Sequence, residues 1–373
     1  MSSPSSFPFD AVPSGHFSAA SAPTSAPPLT ASSGAGIDAT PRMPGSGERA
    51  LVLGGGGSTG NAWLIGVMAG LSEAGLDVTD ADLVIGTSAG STAAAQISGA
   101  TPAKLLAAIL DAPPQSRRPA SDAVPADPAA PGPSAGGATS GTVCAGSRLQ
   151  SGAAGSGSGS QRPSPAGGAV NHLERTGRII AASVDAADMR RNIGAAALDL
   201  AADYDPSDRW RATVAARLPH QLWPDPYTLI TAVDARTGHP VVFDRESGVD
   251  LVDAVAASCA SGFAYSSGGG AYIDGGYRAN AENADLASGY ARVLVLSPFG
   301  GRSRTPADWG MHLASQVSGL RAGGSRVETV FPDSASEQLF GANAMDVSLR
   351  PAAARAGYQQ GLGLAEELVE FWR

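Results

Sequence analysis

The chain has 373 residues, of which 48 are glycine and 27 are proline, only 16% are charged, and the formal net charge is −9. Lys104 is the only lysine, so no polybasic surface is available for nucleic acid, and no apolar run reaches the about 18 residues of a membrane-spanning helix. Cys144 and Cys259 lack the spacing of a metal site or a disulfide framework, and the chain does not open with a basic and apolar secretory signal. These features predict a cytosolic protein without a nucleic-acid partner.

Two segments contain too few apolar side chains to fold. Residues 1–48 and 112–170 are almost entirely Ser, Ala, Pro, Gly and Thr, which cannot offset the about 1–2 kcal/mol per residue that backbone ordering costs. We therefore predict a disordered leader, followed by one domain over 49–373 that a disordered insertion interrupts. The remaining length is typical of a single α/β domain with a large core.

The ordered part of the chain alternates between strand and helix patterns. An apolar strand at 49–53 runs into glycines and then into a helix that ends near Gly75, and a second strand at 83–85 does the same. Strand, glycine turn and helix in succession predict a parallel α/β sheet. Further along, the patterns predict helices at 101–110, 173–183, 189–202, 251–259, 311–320 and 352–372, and strands at 227–233, 241–243, 271–273, 292–296 and 327–331.

The strongest local motif is Gly86-Thr87-Ser88-Ala89-Gly90, where the second strand meets its helix. A serine in this position lies on a tight, strained turn, and the flanking glycines let neighbouring backbone pass without a Cβ clash. The hydroxyl is then exposed at a helix N-terminus, which favours the negative charge that develops during acyl transfer. Ser88 is therefore the candidate nucleophile, although such patterns are also common by chance in chains rich in Gly, Ala and Ser.

A glycine loop, Gly54 to Gly57, follows the first strand and extends to Gly60 as Gly55-x-Gly57-x-x-Gly60. Consecutive glycines direct several backbone N–H groups to one place, which suits a dinucleotide pyrophosphate or the oxyanion of a tetrahedral intermediate. A dinucleotide site requires an acidic residue at the end of the second strand, where this chain has the Ser88 motif. We expect an oxyanion-binding loop, with a plain tight connection as the simpler alternative.

A nucleophilic serine needs a base. His312 is the only histidine after Asp274, so a Ser-His-Asp esterase that uses it is one hypothesis, but its helical surroundings favour a solvent or core position. Asp274 closes a strand, and Gly275 and Gly276 leave no side chain to block its carboxylate, which makes it the better candidate. An ordinary turn aspartate is the simpler interpretation of Asp-Gly.

Together and in this order, the glycine loop, the serine motif and Asp274-Gly275-Gly276 resemble the patatin-like phospholipases. The likeness runs from about Leu51 to the C-terminus outside the insertion, with the core motifs at 51–287. It also includes the stretches 237–238, 257–260, 283–287 and 341–346. One departure is the segment 261–264, which lacks the proline that the family usually places there.

The resemblance implies a three-layer α/β domain, with a mostly parallel sheet between helices, and a Ser/Asp dyad without histidine. Ser88 would attack an ester carbonyl, and Asp274 would take its proton and pass it to the leaving alcohol. The N–H groups of Gly55, Gly56 and Gly57 would hold the oxyanion, and water would then hydrolyse the acyl-enzyme. Such a dyad requires no metal and no organic cofactor.

The substrate that the resemblance implies is a lipid ester, either a phospholipid or a neutral lipid. Because the chain is acidic, we expect any transient contact with a membrane surface to use apolar residues such as 263–265, Trp223 and Tyr227. A non-catalytic lipid-binding or nucleotide-binding module, with a vestigial Ser88, is the alternative from another functional class.

Overall fold

The computed structural model describes residues 47–113, 168–202 and 204–373. Most of the predicted leader and insertion lies outside these residues. The described residues fall in one compact unit. At one edge of the insertion the structure differs from the prediction, because a helix already begins at Gly168.

The described strands form one eight-stranded sheet. They are β1 Arg49–Leu53, β2 Leu83–Gly86, β3 Tyr227–Asp234, β4 Pro240–Phe243, β5 Tyr265–Ser267, β6 Gly270–Asp274, β7 Arg292–Leu296 and β8 Arg326–Val330. The order is β5-β6-β3-β2-β1-β7-β8, and β4 also pairs with β3. In this order, the run β3-β2-β1-β7-β8 is parallel throughout. The pairs β3–β4, β3–β6 and β5–β6 are antiparallel. The mostly parallel sheet predicted from the sequence is confirmed.

Helices cover both faces of this sheet. They are α1 Gly57–Glu73, α2 Ala89–Ile97, α3 Pro102–Leu110, α4 Gly168–Ala182, α5 Ala186–Ala201, α6 Ser207–Ala215, α7 Leu251–Ser258, α8 Leu313–Ala322 and α9 Arg350–Trp372. Alternate residues of β1 enter different cores: Leu51 and Leu53 pack with α1, α2, α7 and α9, whereas Ala50 and Val52 pack with α8. The fold is therefore a three-layer α/β structure.

Two described elements, α6 and β5, were not predicted from the sequence patterns. Helix α6 is largely polar and is held by Trp210, whose indole N–H donates to the Ala256 carbonyl oxygen at 3.0 Å. Strand β5 has only three residues, too few for an alternation of apolar and polar side chains to be recognised.

No described helix alone is long and apolar enough to cross a bilayer. Helices α2 and α3 together have the length and composition of a membrane span, but the chain bends by 119° between them.

Helices α1 and α9 pack backbone against backbone. Gly66 and Gly70 of α1 face α9, and Gly357 and Gly361 of α9 face α1. A Cβ added at Gly66 would lie 2.2 Å from the carbonyl oxygen of Ala354, and one at Gly361 would be similarly blocked. Small residues four apart permit such a close approach, which fixes α1, and with it the glycine loop at its start.

Candidate active site

Both candidate catalytic residues are positioned by β3. Gly86, at the end of β2, lies opposite Ile230 in the parallel pair, and Asp274, at the end of β6, lies opposite Ala232 in the antiparallel pair. The two strand ends are thus two residues apart along the same strand. Ser88 lies two residues after Gly86, so the sheet brings the serine and the aspartate to one edge although the insertion separates them in sequence.

Ser88 lies on a strained turn, as predicted. Its φ of 51° and ψ of −115° are unusual for a residue other than glycine and cost about 1–3 kcal/mol. The Ser88 N–H donates to Ser258 Oγ at 2.9 Å, and the Ser88 carbonyl oxygen accepts from Ser91 Oγ at 2.6 Å and from the Cys259 thiol at 3.1 Å. Hydrogen bonds from α2 and from the end of α7 therefore hold the strained conformation.

No side chain fits at the two glycines that flank this turn. A Cβ at Gly90 would lie 1.8 Å from the Leu53 carbonyl oxygen, and a Cβ at Gly86 would lie 2.6 Å from Ser91 Cα. Any larger residue would push α2 away from β1 and move the Ser88 hydroxyl.

Asp274 is buried, with 7% of its surface exposed. Its Oδ1 accepts from the Gly276 N–H at 2.8 Å, and the nearby Ser88 side chain also favours the charged form of the carboxyl. Burial outweighs both neighbours and raises the pKa of Asp274 to about 6. Gly275 is needed for packing, because a Cβ there would lie 2.2 Å from the Thr231 carbonyl oxygen.

The glycine loop lies against Ser88, since a Cβ on Gly55 would be 3.5 Å from Ser88 Cβ. The Gly55 N–H, however, donates to the Ala281 carbonyl oxygen at 2.8 Å. In the described part of the chain, the N–H groups of Gly56 and Gly57 have no such acceptor. Gly55 thus uses its N–H to fasten the loop, whereas Gly56 and Gly57 keep theirs available.

The residues that carry these features match a known family. Residues 51–285, or 235 of 373, match the family model described as patatin-like phospholipase. The chain belongs to the patatin-like phospholipase family. Membership makes it a lipid ester hydrolase, as the motifs suggested. A comparison with curated proteins finds no match to the chain.

In this patatin-like phospholipase, a partly buried arginine supports the start of α1. Arg350 donates to the Ser58 carbonyl oxygen at 2.8 Å and to Asn61 Oδ1 at 3.1 Å. Burial, together with the charge of Arg217, lowers the pKa of Arg350 to about 10, so the guanidinium stays positive at neutral pH. Gly60 is also enclosed here, with Pro298 at 3.0 Å from a Cβ added to it. The sequence alone does not indicate this role of Arg350, because Arg350 and the start of α1 are far apart in the chain.

The histidine alternative gains no support from the position of His312. This residue caps α8, and its Nε2–H donates to the Thr305 carbonyl oxygen at 2.8 Å. The Asp274 carboxylate accepts instead from the Gly276 N–H, and the side chain that neighbours it is that of Ser88. Among the residues that the structure describes, no group of three or more His, Cys, Asp or Glu is arranged to hold a metal.

The aromatic residues expected at a membrane surface are packed inside the phospholipase. Tyr265 is 1% exposed and Ala264 is fully buried. Phe263 and Trp223 are partly buried against the core that contains α1, and Tyr227 packs against the core on the other face. Each of these aromatic side chains therefore contributes packing to a core, and Phe263, Trp223 and Tyr227 keep part of their surface exposed.

A buried asparagine links the two catalytic segments. Asn283 Nδ2 donates to Thr87 Oγ1 and to the Gly275 carbonyl oxygen, both at 3.0 Å, and lies 3.3 Å from Thr231 Oγ1. Its Oδ1 accepts from Arg278 at 3.1 Å. Thr87 precedes Ser88, and Gly275 follows Asp274, so one amide fixes the backbone beside both candidates. The sequence drew attention to residues 283–287 as a stretch that resembles the family. The hydrogen-bond partners of Asn283 are visible only in the folded structure.

We predict that removal of the Asn283 amide lowers kcat about 10- to 100-fold, because the buried Thr87 hydroxyl and Gly275 carbonyl lose a hydrogen bond each. Asn283 has a φ of 54°, so Asn283→Ala adds backbone strain that Asn283→Gly avoids. Equal kcat losses in the two variants, measured with a p-nitrophenyl ester, would assign the effect to the hydrogen bonds. Full activity of Asn283→Gly would refute the positioning role.

Proposed function

We propose that this patatin-like phospholipase hydrolyses lipid esters through a Ser88–Asp274 dyad and an acyl-enzyme. The observation that carries the proposal is the position of the Ser88 side chain near the buried Asp274 carboxylate, whose pKa burial raises to about 6. The strained turn at Ser88 and the two unbonded N–H groups at Gly56 and Gly57 support it.

In the first half-reaction, Asp274 takes the hydroxyl proton while Ser88 Oγ attacks the ester carbonyl carbon. The negative charge that forms on the carbonyl oxygen is stabilised by the N–H groups of Gly56 and Gly57, and by the positive end of α1. The tetrahedral intermediate collapses, the C–O bond to the alcohol breaks, and Asp274 gives its proton to the departing oxygen.

In the second half-reaction, water attacks the acyl-Ser88 ester with Asp274 again as the base. The carboxylic acid product leaves, and the proton returns to Ser88 Oγ. The raised pKa of Asp274 suits both steps, because the group is mostly ionised at neutral pH and yet is a stronger base than an exposed aspartate. The Gly276 N–H keeps the carboxylate oriented towards Ser88 throughout.

We predict that kcat/KM for p-nitrophenyl butyrate rises with pH and levels off above about pH 6. The base must be ionised to accept the Ser88 proton, so protonation of Asp274 below its pKa of about 6 lowers kcat/KM about tenfold per pH unit. Initial rates between about pH 4.5 and 8.5 test this. A profile that is flat across this interval, or that falls as pH rises, would contradict the proposal.

A second buried carboxyl provides the control for this profile. Glu282 lies beside the glycine loop, and burial raises its pKa to about 7. It takes no part in proton transfer in the proposed mechanism. In Glu282→Gln the midpoint of the profile is expected to stay near 6. A midpoint that disappears in this variant would assign the pH dependence to Glu282.

A further inference from the structure

A group of basic side chains lies next to the proposed dyad without a role in the reaction. Arg304 donates from Nη1 to Thr176 Oγ1 at 2.8 Å and from Nη2 to the Leu173 carbonyl oxygen at 2.5 Å. Arg175 Nη2 lies 3.3 Å from His172 Nδ1, and Arg175 Nε is buried without a partner among the described residues. Two guanidinium groups thus meet at helix α4.

Tyr277 connects this basic group to Asp274. His172 Nε2 lies 3.4 Å from Tyr277 Oη, and Tyr277 ends the turn that begins directly after Asp274. The two residues are close enough that the charge of Asp274, after burial, helps to raise the pKa of Tyr277. The same narrow cleft is lined by His172, Arg175, Tyr277 and Ile273, the residue before Asp274.

The basic group carries positive charge that no described carboxylate neutralises. Neither Arg175 nor Arg304 forms an ion pair with an acidic residue in the described part of the chain. Burial, and then the charges of the two arginines, lower the pKa of His172 to about 4, so its ring is neutral at pH 7. A bound anion would neutralise the positive charge of the two guanidinium groups.

Helix α4 is shaped to admit the exposed arginine. A Cβ at Gly177 would lie 2.8 Å from Arg304 Nη2, so glycine at this position lets the guanidinium lie against the helix. Arg304 is exposed, whereas Arg175 is half-buried, so the charged group extends from solvent towards Asp274.

We propose that Arg175 and Arg304 bind the phosphate group of a glycerophospholipid whose acyl ester is attacked by Ser88. Guanidinium groups bind phosphate through paired, charge-assisted hydrogen bonds, and the donors of Arg175 are the least used in this group. The inference rests on the proposed function, since it places the head group of the substrate beside the same dyad. It assigns a preference for phosphate-bearing esters over neutral lipids.

The test compares two dihexanoyl esters that differ in the phosphate, dihexanoylphosphatidylglycerol and dihexanoylglycerol, each below its critical micelle concentration. In Arg175→Gln we expect kcat/KM for the phosphatidylglycerol to fall about 10- to 100-fold, because a charge-assisted contact is lost. The neutral ester should change less than about twofold, which also shows that the variant folds. Arg178→Gln is the matched control, since Arg178 is exposed on the same helix and pairs with Glu174; it should leave both rates unchanged.

Each other outcome has a definite meaning. Equal losses on both esters, or no loss on either, would overturn the phosphate site while leaving the hydrolase intact. Hexanoate inhibition that weakens in Arg175→Gln without a change in ester preference would assign the arginines to the released carboxylate and would also overturn it. Failure of the unmodified protein to cleave either ester would instead contradict the proposed function.

Discussion

Ser88→Ala should lower kcat/KM for a p-nitrophenyl acyl ester by about 10⁴-fold or more, because the residue that attacks the carbonyl is gone. The substitution removes one oxygen from a half-buried position, and the backbone bonds to Ser258, Ser91 and Cys259 do not depend on it. The fold should therefore survive. A fluorophosphonate should label the unmodified protein at Ser88 and should not label the variant.

Ser98→Ala is the matched control for this result. Ser98 lies at the end of the same helix, α2, and its hydroxyl donates only to the Ala95 carbonyl oxygen at 2.8 Å. This variant should keep the parental rate and the fluorophosphonate label. Normal turnover by Ser88→Ala, or labelling at a different serine, would rule out Ser88 as the nucleophile.

Asp274→Asn should lower kcat/KM by about 10³-fold or more, because an amide cannot take the Ser88 proton. The amide oxygen can still accept the Gly276 N–H, so the turn is expected to keep its shape.

The Asp274→Asn substitution should also raise the free energy of unfolding at high pH. Burial raises the pKa of Asp274 from 3.8 to about 6, so this carboxyl binds its proton more tightly in the native state than in the unfolded state.

The sign of this stability effect follows from the two pKa values. The contribution of Asp274 to stability is fully present below pH 3.8 and is lost as pH rises through about 6. At pH 8, Asp274→Asn should therefore unfold in urea with a free energy up to about 3 kcal/mol above the parent, a gap that closes as pH falls towards 4. Asp253→Asn is the contrasting control, because Asp253 pairs with Arg211 at 3.0 Å and its loss should destabilise. An inactive Asp274→Asn that is less stable at pH 8 would indicate a structural aspartate.

The sequence was sufficient for most of the elements and for the order of the motifs. The strands at 49–53 and 292–296 are continuous apolar runs because they are buried on both faces, and such runs are recognisable without a fold. The strain at Ser88 was also predictable, since a short strand, a serine and a helix leave room only for a tight turn.

Contacts between distant segments were not predictable from local patterns. Nothing near Gly55 indicates that its N–H is used by Ala281, and nothing near Arg350 indicates that it supports α1. The role of Asn283 was equally unpredictable, because its partners Thr87 and Thr231 lie far from it in the chain, after β2 and within β3. Each of these depends on the sheet order, which the hydrophobic periodicity of single elements does not specify.

The glycine contact between α1 and α9 has a consequence for the order of synthesis. Ser88 and Asp274 leave the ribosome well before Arg350–Trp372, the helix against which α1 packs. Because contacts far apart in sequence form only after both partners exist, the loop ahead of α1 reaches its final position late. A growing chain therefore carries Ser88 and Asp274 before the glycine loop is held in place, so we expect ester hydrolysis to begin only after α9 has been made.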